Sequence, residues 1–198
     1  MGADGAARQR PSLILCLLAL LLAPLWALAA EQEEQAWQAL REGRALLILR
    51  HTTAPGTGDP AHFQLGNCST QRNLSQQGRE EARRWGALLR SQGIERPRLF
   101  SSRWCRALDT AREMELGTVQ PLPALDSFFA LPGDGSEQTS QLIRSINLMP
   151  PGEPLVLVSH QVNITALTRI FPASGEGLIL ALPLRAAPQV LARIAPPR

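Results

Sequence analysis

The sequence predicts an α/β fold with three layers, in which helices cover both faces of a doubly wound, mostly parallel sheet. Two runs of large aliphatic residues, at 46–49 and 155–158, end abruptly in polar residues, as buried parallel strands do. Segments with helical spacing of apolar residues alternate with these strands, which is typical of a sheet with crossover helices. Two further apolar segments close the chain, so we expect a β-rich C-terminal edge of the sheet.

The first half of the chain alternates helix, strand and loop. A helix is predicted over 31–44, where apolar residues recur at helical spacing, and the strand at 46–49 follows it. Residues 52–70 are rich in Gly, Pro, Thr and Asp, so we expect a long surface loop there, of a kind that is often functional. The next helix is predicted over 76–92, with the Ser75 hydroxyl as its N-cap.

The second half continues the alternation and ends in strands. Proline and glycine positions divide it into short segments, each with helical or extended patterning. The predicted elements are a strand at 98–101, a helix at 104–116, a strand at 121–125, a turn at 133–136, a helix at 137–148, a strand at 155–159, a helix at 163–170, and two edge strands at 178–182 and 189–194.

The amino-terminal 30 residues have the pattern of an export signal. Arg8 and Arg10 precede an apolar run at 13–25, and small residues at 27–29 have the spacing of a cleavage site. We therefore expect a signal peptide over 1–30, a single domain over 31–198, and a periplasmic or secreted protein. A retained membrane anchor is the alternative. The run is shorter than the roughly 20 residues that span a bilayer, so no stable membrane insertion is expected after cleavage.

Charge and cysteine content narrow the class of partner. The formal net charge is +3, and it is spread along the chain rather than clustered, so nucleic acid is not an expected partner. An anionic small molecule fits this balance better. Cys68 and Cys105 remain after loss of the leader, and two cysteines in an oxidising compartment predict a disulfide. That bond would hold Arg106 in place, because Arg106 follows Cys105 directly.

Four side chains at predicted strand and helix ends suggest the chemistry. Arg50 and His51 end one strand, Arg106 opens a helix after another strand, and His160 ends a third. Guanidinium groups match the oxygens of a phosphoryl group two at a time, and an imidazole nitrogen is a good nucleophile toward phosphorus. Crevices at the carboxyl edge of open α/β sheets bind ligands, so these residues predict a phosphoryl-transfer site. A zinc site built on His51, His62 and His160 is a competing hypothesis, although their spacing fits no common ligand pattern.

Four motifs, in order along the chain, resemble those of one known family. Residues 49–52, Leu-Arg-His-Thr, are similar to the Arg-His-Gly signature of the histidine phosphatase superfamily. Residues 74–82 resemble its Leu-Thr-x-x-Gly helix start, and 101–111 resemble its Ser-Ser-x-x-x-Arg-Ala segment. Residues 156–160 are similar to its late strand and histidine. The resemblance implies a phosphoglycerate-mutase-like fold over the mature chain, and it is closest in character to exported lipopolysaccharide core heptose phosphate phosphatases.

The resemblance also implies a mechanism and a set of site residues. His51 would be the nucleophile that is transiently phosphorylated, with Arg50, Arg106 and His160 around the phosphoryl oxygens. Thr52, which replaces the usual glycine, and Ser159 would also contact the substrate. The implied activity is that of a phosphomonoesterase of the histidine acid phosphatase type, which needs no metal or other cofactor. Its substrate would be a small phosphate ester, with an envelope sugar phosphate as one candidate and phosphohistidine as another.

Several carboxylates are candidates for the proton donor to the leaving group. Asp126 is nearest to the position at which many relatives carry a glutamate, and Asp59 and Glu137 are alternatives. Another branch of the superfamily uses an aspartate after the second histidine, where this chain has Gln161. The unassigned donor and the substitution at Thr52 favour an alternative function, that of a catalytically silent phosphate-binding module with the same fold.

Overall fold

The computed structural model describes residues 13–130, 133 and 135–198 of the chain. Within these residues, six strands alternate with five α-helices, and there are two short 3₁₀ turns at Cys68–Thr70 and Pro123–Leu125. In chain order the elements are α1 (Leu13–Arg41), β1 (Ala45–Arg50), α2 (Gln76–Ser91), β2 (Arg98–Ser101), α3 (Cys105–Glu113), β3 (Val119–Pro121), α4 (Gly135–Asn147), β4 (Leu155–Ser159), α5 (Gln161–Thr168), β5 (Gly177–Ala181) and β6 (Val190–Ile194).

All six strands form one sheet in the order β3-β2-β4-β1-β5-β6. Strands β1 to β4 are parallel to one another, and β5 alone runs in the opposite direction, since it pairs antiparallel with both β1 and β6. Strands β2 and β3 lie on one side of the β4–β1 pair, and β5 and β6 lie on the other. The connections that follow β1 and β4 therefore leave in opposite directions across the sheet. A switch point of this kind leaves a crevice outside the carboxyl ends of the strands.

Alternation along the strands divides the apolar residues between two layers of helices. In β1, Leu47 and Leu49 face a cluster that includes Trp37 of α1 and Trp85 of α2. Leu46 and Ile48 face the other cluster, which contains residues of α4 and α5. Because both faces of β1 and β4 are buried, these strands are continuous apolar runs. The predicted three-layer, doubly wound α/β fold is confirmed.

Several predicted boundaries are wrong, and each has a local cause. The third strand lies at Val119–Pro121 rather than at 121–125, because Pro121 and Pro123 lack the N–H that a continued ladder needs. Strand β5 is not an edge strand, since it pairs with both β1 and β6. The first helix ends at Arg41 instead of residue 44. Two residues later, Gly43 has a left-handed φ of 67°.

The remaining helices lie within a few residues of their predicted positions. Ser75 caps α2 as predicted, and its hydroxyl accepts the Gly78 N–H at 3.0 Å. The turn predicted at 133–136 falls partly on residue 134, which lies outside the described residues, and α4 begins at Gly135.

Helix α1 begins at Leu13, inside the segment predicted as a leader, and residues 1–12 of that segment lie outside the described residues. Within residues 13–130, 133 and 135–198, none of the helices has both the length and the apolar character that a membrane span requires.

Candidate active site

The register of the sheet brings the two histidines together. Strands β1 and β4 are parallel neighbours, and Arg50 lies opposite Ser159 at their carboxyl ends. His51 and His160 are the next residues of the two strands, so both side chains emerge at the same point of the crevice. Their ring centroids are 5.4 Å apart, and their exposed fractions are only 2% and 3%. Two groups distant in sequence therefore form one buried pair.

The hydrogen bonds of His51 define which ring nitrogen is available for chemistry. Nδ1 lies 2.8 Å from the carbonyl oxygen of Thr52 and must donate to it, because a carbonyl only accepts. Nε2 then carries the lone pair, and it accepts a hydrogen bond from Nε of Arg106 at 3.2 Å. Burial, followed by the charge of Arg106, lowers the pKa of His51 to about 3. The imidazole is consequently neutral at physiological pH.

Three guanidinium groups line the pocket around His51. Arg106 is almost fully buried, and burial lowers its pKa to about 10, which leaves it charged at neutral pH. Arg50 is half-buried, and its Nη1 donates to the carbonyl of Pro172 at 2.9 Å. Arg72 reaches the pocket from the loop after β1, where its Nε donates to the carbonyl of Gly58 at 2.8 Å. Groups of this kind hold tetrahedral oxyanions through paired N–H donors.

Asp59 is the one carboxylate among the described residues that line this pocket. Nη1 of Arg106 donates to both of its oxygens, at 2.8 and 3.0 Å. The indole N–H of Trp104 and the backbone N–H of Arg72 donate to the same carboxylate, each at 3.0 Å. These contacts neutralise one of the three guanidinium charges and leave a pocket with an excess of positive charge. Such a pocket favours a dianion.

His160 is held differently from His51. Its Nε2 lies 2.7 Å from the hydroxyl of Ser102, and its ring meets that of Trp104 edge-on at 5.7 Å between centroids. Nδ1 is buried and has no hydrogen-bond partner among the described residues. Helix α5 begins at the next residue, so its first backbone N–H groups lie at the pocket wall formed by Gln161 and Val162. The positive end of that helix dipole adds to the preference for an anion.

The pocket has a volume of about 100 Å³, and its outer wall includes the half-exposed ring of Phe129 and the loop at 56–58. A disulfide between Cys68 and Cys105, with Cα atoms 5.6 Å apart, joins the long segment between β1 and α2 to the start of α3. The predicted disulfide is thereby confirmed. It fixes the loop that carries Asp59 and Arg72 against the helix that carries Arg106. The whole arrangement can bind a phosphoryl group and present a neutral imidazole nitrogen to its phosphorus.

Not every predicted site residue reaches the pocket. The structure brings together His51, His160, Arg50, Arg106 and Asp59, whereas His62, Glu137, Thr52, Ser159 and Asp126 do not line it. His62 is exposed on the loop, so the hypothetical zinc site on three histidines does not form. Among the residues that the structure describes, no group of three or more His, Cys, Asp or Glu side chains could hold a metal ion.

Three of these placements differ from the predicted roles, two as contacts to substrate and one as the acid. The hydroxyl of Thr52 bonds to that of Thr110 at 3.1 Å, and the hydroxyl of Ser159 donates to the carbonyl of Leu125 at 2.7 Å. Both hydroxyls are therefore used inside the fold. Asp126 cannot serve as the predicted acid in this arrangement, because its two oxygens accept hydrogen bonds from Ser102 and from the backbone and side chain of Arg103.

Sequence reasoning missed Arg72 and Trp104. Arg72 is the single arginine of the polar segment between β1 and α2, close to Cys68. The one sequence signal for Arg72 is its position near Cys68, because the disulfide joins that segment to the residue before Arg106. Trp104 was assigned only to a helix predicted over 104–116, yet it precedes α3 and holds Asp59. Apolar periodicity indicates which residues pack in the core and gives no information on the hydrogen bond that the indole N–H of Trp104 makes.

Comparison with known proteins supports the fold but gives no relative close in sequence. No family model matches this chain, and no curated protein matches it significantly. Solved structures do match. The protein histidine phosphatase SixA, complexed with tungstate, is 20% identical with a TM-score of 0.54, covering 77% of this chain and 97% of that chain.

Two further solved structures have the same fold. Phosphoserine phosphatase from Entamoeba histolytica, in complex with 3-phosphoglyceric acid, is 14% identical with a TM-score of 0.55, covering 76% of this chain and 96% of that chain. A mycobacterial glucosyl-3-phosphoglycerate phosphatase with VO3 is 16% identical with a TM-score of 0.53, covering 74% and 96%. At these identities the likeness establishes the fold, which is the phosphoglycerate-mutase-like fold of the histidine phosphatases.

Proposed function

We propose that this protein is a phosphomonoesterase that acts through a phosphohistidine intermediate on His51. The observation that carries the proposal is the neutral ring of His51 in a pocket with three guanidinium groups, where its Nε2 accepts a hydrogen bond from Arg106 that a phosphoryl group would replace. A basic, cation-lined pocket binds the phosphoryl dianion, and the uncharged imidazole supplies the nucleophile. The solved structures with this fold support the proposal, since their names describe phosphatases.

The reaction takes two in-line steps. In the first, Nε2 of His51 forms a bond to phosphorus while the bond to the leaving-group oxygen breaks. The hydrogen bond from Nδ1 to the carbonyl of Thr52 stabilises the positive charge that the ring then acquires. In the second step, water attacks phosphorus while the bond from phosphorus to Nε2 of His51 breaks, a water proton passes to solvent, and inorganic phosphate leaves with the imidazole neutral again. Arg50 and Arg106 stabilise the charge on the phosphoryl oxygens in both transition states.

The leaving group limits the choice of substrate. Asp59, the carboxylate of the pocket, accepts four hydrogen bonds from Arg106, Trp104 and Arg72, so both of its oxygens are engaged within the protein rather than directed at a leaving group. Glu137 pairs with Arg144 at 2.8 Å and lies outside the pocket. The proposed enzyme therefore favours esters whose leaving groups need little protonation, such as aryl phosphates, over alkyl phosphates.

Release of inorganic phosphate from an aryl phosphate, with and without a chelator, tests this proposal. We expect turnover that a chelator does not change. His51→Ala should lower it on the order of 10⁴-fold, because the nucleophile is removed. His62→Ala is the matched control, since that histidine is exposed and lies outside the pocket. Turnover that persists in His51→Ala, or that a chelator removes, would contradict the mechanism.

A catalytically silent phosphate-binding module is the second candidate. Commitment of Asp59 and Asp126 to other partners favours it, because neither is free to protonate a leaving group. The two functions differ in one measurement. A silent module binds tungstate but releases no phosphate even from an aryl ester, whereas the proposed enzyme does both.

We also propose that the protein is exported and that its substrate is a small phosphate ester of the cell envelope, with a sugar phosphate as the first candidate. The pattern of residues 1–30 and the disulfide between Cys68 and Cys105 support export. Cell fractionation with antibody detection tests it, and finding the protein in the cytosolic fraction with free thiols would contradict it. Activity on sugar phosphates, compared with phosphoserine and phosphohistidine, tests the substrate class.

A further inference from the structure

A chain of hydrogen bonds connects His160 to a carboxylate outside the pocket. The hydroxyl oxygen of Ser102 lies 2.7 Å from Nε2 of His160 and 3.2 Å from Oδ1 of Asp126. It also accepts the backbone N–H of Trp104 at 3.2 Å. Ser102 is fully buried, and Asp126 and His160 are more than nine-tenths buried. The three side chains therefore interact with one another rather than with solvent.

The donors and acceptors at Ser102 fix the direction of these bonds. A serine hydroxyl has one proton and two lone pairs. The carboxylate of Asp126 can only accept, so the hydroxyl proton goes to Oδ1. The two lone pairs then accept the N–H of Trp104 and the N–H at Nε2 of His160. His160 consequently has its proton on Nε2, and its bare nitrogen is Nδ1, which has no partner among the described residues.

We propose that Asp126 and Ser102 are positioning residues that let His160 take up a second proton when an oxyanion enters the pocket, so that His160 binds the phosphoryl group as an imidazolium. The proposal deepens the proposed function and rests on it. The proton comes from solvent and is held on Nδ1, where it forms a hydrogen bond to an oxygen of the anion. Nε2–H continues to donate to Ser102, and Ser102 continues to donate to Asp126.

The charges that face His160 explain why it changes state. Arg106 from α3, Arg50 and His51 from the end of β1, and Arg72 from the loop after β1 all lie on its pocket side, with Asp59 among them. Burial, followed by Arg106 and His51, holds the pKa of His160 well below its usual value. A bound dianion offsets those guanidinium charges, while Asp126 stabilises the imidazolium from the opposite side.

The carboxylate has a distinct partner that keeps it in place. Nε of Arg103 donates to Oδ2 of Asp126 at 2.7 Å, and the backbone N–H of Arg103 donates to Oδ1 at 2.8 Å. These bonds do not involve Ser102. Replacing Ser102 by alanine therefore breaks the connection to His160 without removing the contacts between Asp126 and Arg103, which makes it a cleaner test than replacement of Asp126.

The test uses tungstate, a tetrahedral dianion, with the full mature protein labelled with ¹⁵N at histidine. Imidazole nitrogen shifts report whether each ring carries one proton or two. At neutral pH we expect His160 to be neutral in the free protein and doubly protonated with saturating tungstate. In Ser102→Ala, tungstate affinity at neutral pH should fall about tenfold, and the pH at which affinity falls off in alkaline solution should decrease by about one unit.

Two further variants separate positioning from a merely structural role. Ser102→Thr keeps the hydroxyl and should restore the wild-type pH profile. Ser101→Ala is the matched control, because Ser101 is an equally buried neighbour whose hydroxyl donates only to the carbonyl of Ser102 at 2.9 Å. A His160 ring that stays neutral in the tungstate complex overturns the proposal, as does a pH profile of Ser102→Ala that matches the profile of Ser101→Ala.

The outcome also distinguishes this inference from the proposed function. A doubly protonated His160 in a protein that turns over no aryl phosphate leaves the inference intact and rejects the phosphatase. Turnover with a neutral His160 rejects only the inference. Failure to bind tungstate at all overturns both.

Discussion

The two ends of the central strands, at His51 and at His160, place the same side chain in the same crevice with opposite hydrogen bonding. His51 donates from Nδ1 to the backbone carbonyl of Thr52 and presents Nε2. His160 donates from Nε2 to Ser102 and presents Nδ1. One ring is oriented by the main chain, and the other is oriented by a side-chain hydroxyl that leads to the carboxylate of Asp126.

This difference teaches how two buried imidazoles acquire different roles. A backbone carbonyl fixes the orientation of a ring but carries no net charge, so His51 stays neutral and nucleophilic. A hydroxyl linked to a carboxylate favours the charged ring once the positive field of the pocket is offset by a ligand. The pair therefore offers one nucleophile and one cationic anchor for a phosphoryl group, although burial lowers the pKa of both in the free protein.

Replacing each histidine by asparagine gives the largest expected effects and tests the roles of His51 and His160 separately. His51→Asn should lower kcat on the order of 10⁴-fold and change tungstate affinity little, because the nucleophile is lost and the cationic groups remain. His160→Asn should lower both kcat and tungstate affinity, each by about 10²-fold, because a charged ligand of the phosphoryl group is lost. Steady-state kinetics and calorimetric titration measure the two effects, and equal losses of affinity in the two variants would contradict the division of roles.

The disulfide joins the loop that carries Asp59 and Arg72 to the helix that carries Arg106, and its removal tests whether the site depends on that bond. The double variant Cys68→Ala, Cys105→Ala should lower the free energy of unfolding by about 3–4 kcal/mol, because the unfolded chain gains the freedom of a long loop. The loop with Asp59 and Arg72 should also loosen from Arg106, so KM for an aryl phosphate should rise. Urea unfolding of the variant is compared with that of reduced wild-type protein, and the two should agree. An unchanged unfolding midpoint would show that the bond has no stabilising role.

The pH dependence of the free energy of unfolding tests the neutral state of buried His51, and its expected effect is smaller. An unfolded histidine has a pKa of about 6.5, whereas the pKa of folded His51 is about 3. As the pH falls below the unfolded value, the unfolded chain takes up a proton that the folded chain does not. His51 alone should therefore reduce the free energy of unfolding by about 2 kcal/mol between about pH 6.5 and pH 5, with further loss toward pH 3.

Urea unfolding across this pH range measures the slope, and His51→Asn supplies the control because it removes the contribution of that ring. Saturating tungstate should oppose the loss, since His160 then accepts its proton in the folded state. A wild-type protein and a His51→Asn variant with the same slope would contradict the assigned pKa of His51.

The sheet was predictable because its signal is local. Runs such as 46–49 and 155–158 are apolar at every position and too short for a typical helix, which favours a strand buried on both faces. The polar residues that end them mark the carboxyl edge, so Arg50, His51 and His160 were expected at one edge of the sheet, and the pairing of β1 with β4 brings the two histidines together. The third strand was misplaced because it has only three residues, the last of which is Pro121, and so short a segment carries no periodicity.

The acid and the supporting residues were not predictable, since their roles depend on contacts across the fold. Asp126 and Asp59 are both carboxylates in loops, and only geometry shows that Asp126 binds Ser102 and Arg103 while Asp59 binds Arg106. The hydroxyls of Thr52 and Ser159 adjoin the histidines in sequence, but they point to Thr110 and to the carbonyl of Leu125. Because successive side chains of an extended chain point in opposite directions, a residue next to a histidine does not by its position share the histidine's pocket.

Trapping the covalent intermediate tests the central claim most directly. Wild-type protein is mixed with an aryl phosphate, quenched in denaturant at alkaline pH, digested and analysed by mass spectrometry. The account predicts a phosphoryl group on His51, absent from His51→Asn and present in His62→Ala. A phosphoryl group on another residue, or turnover with no phosphorylated His51 during the steady state, would contradict it.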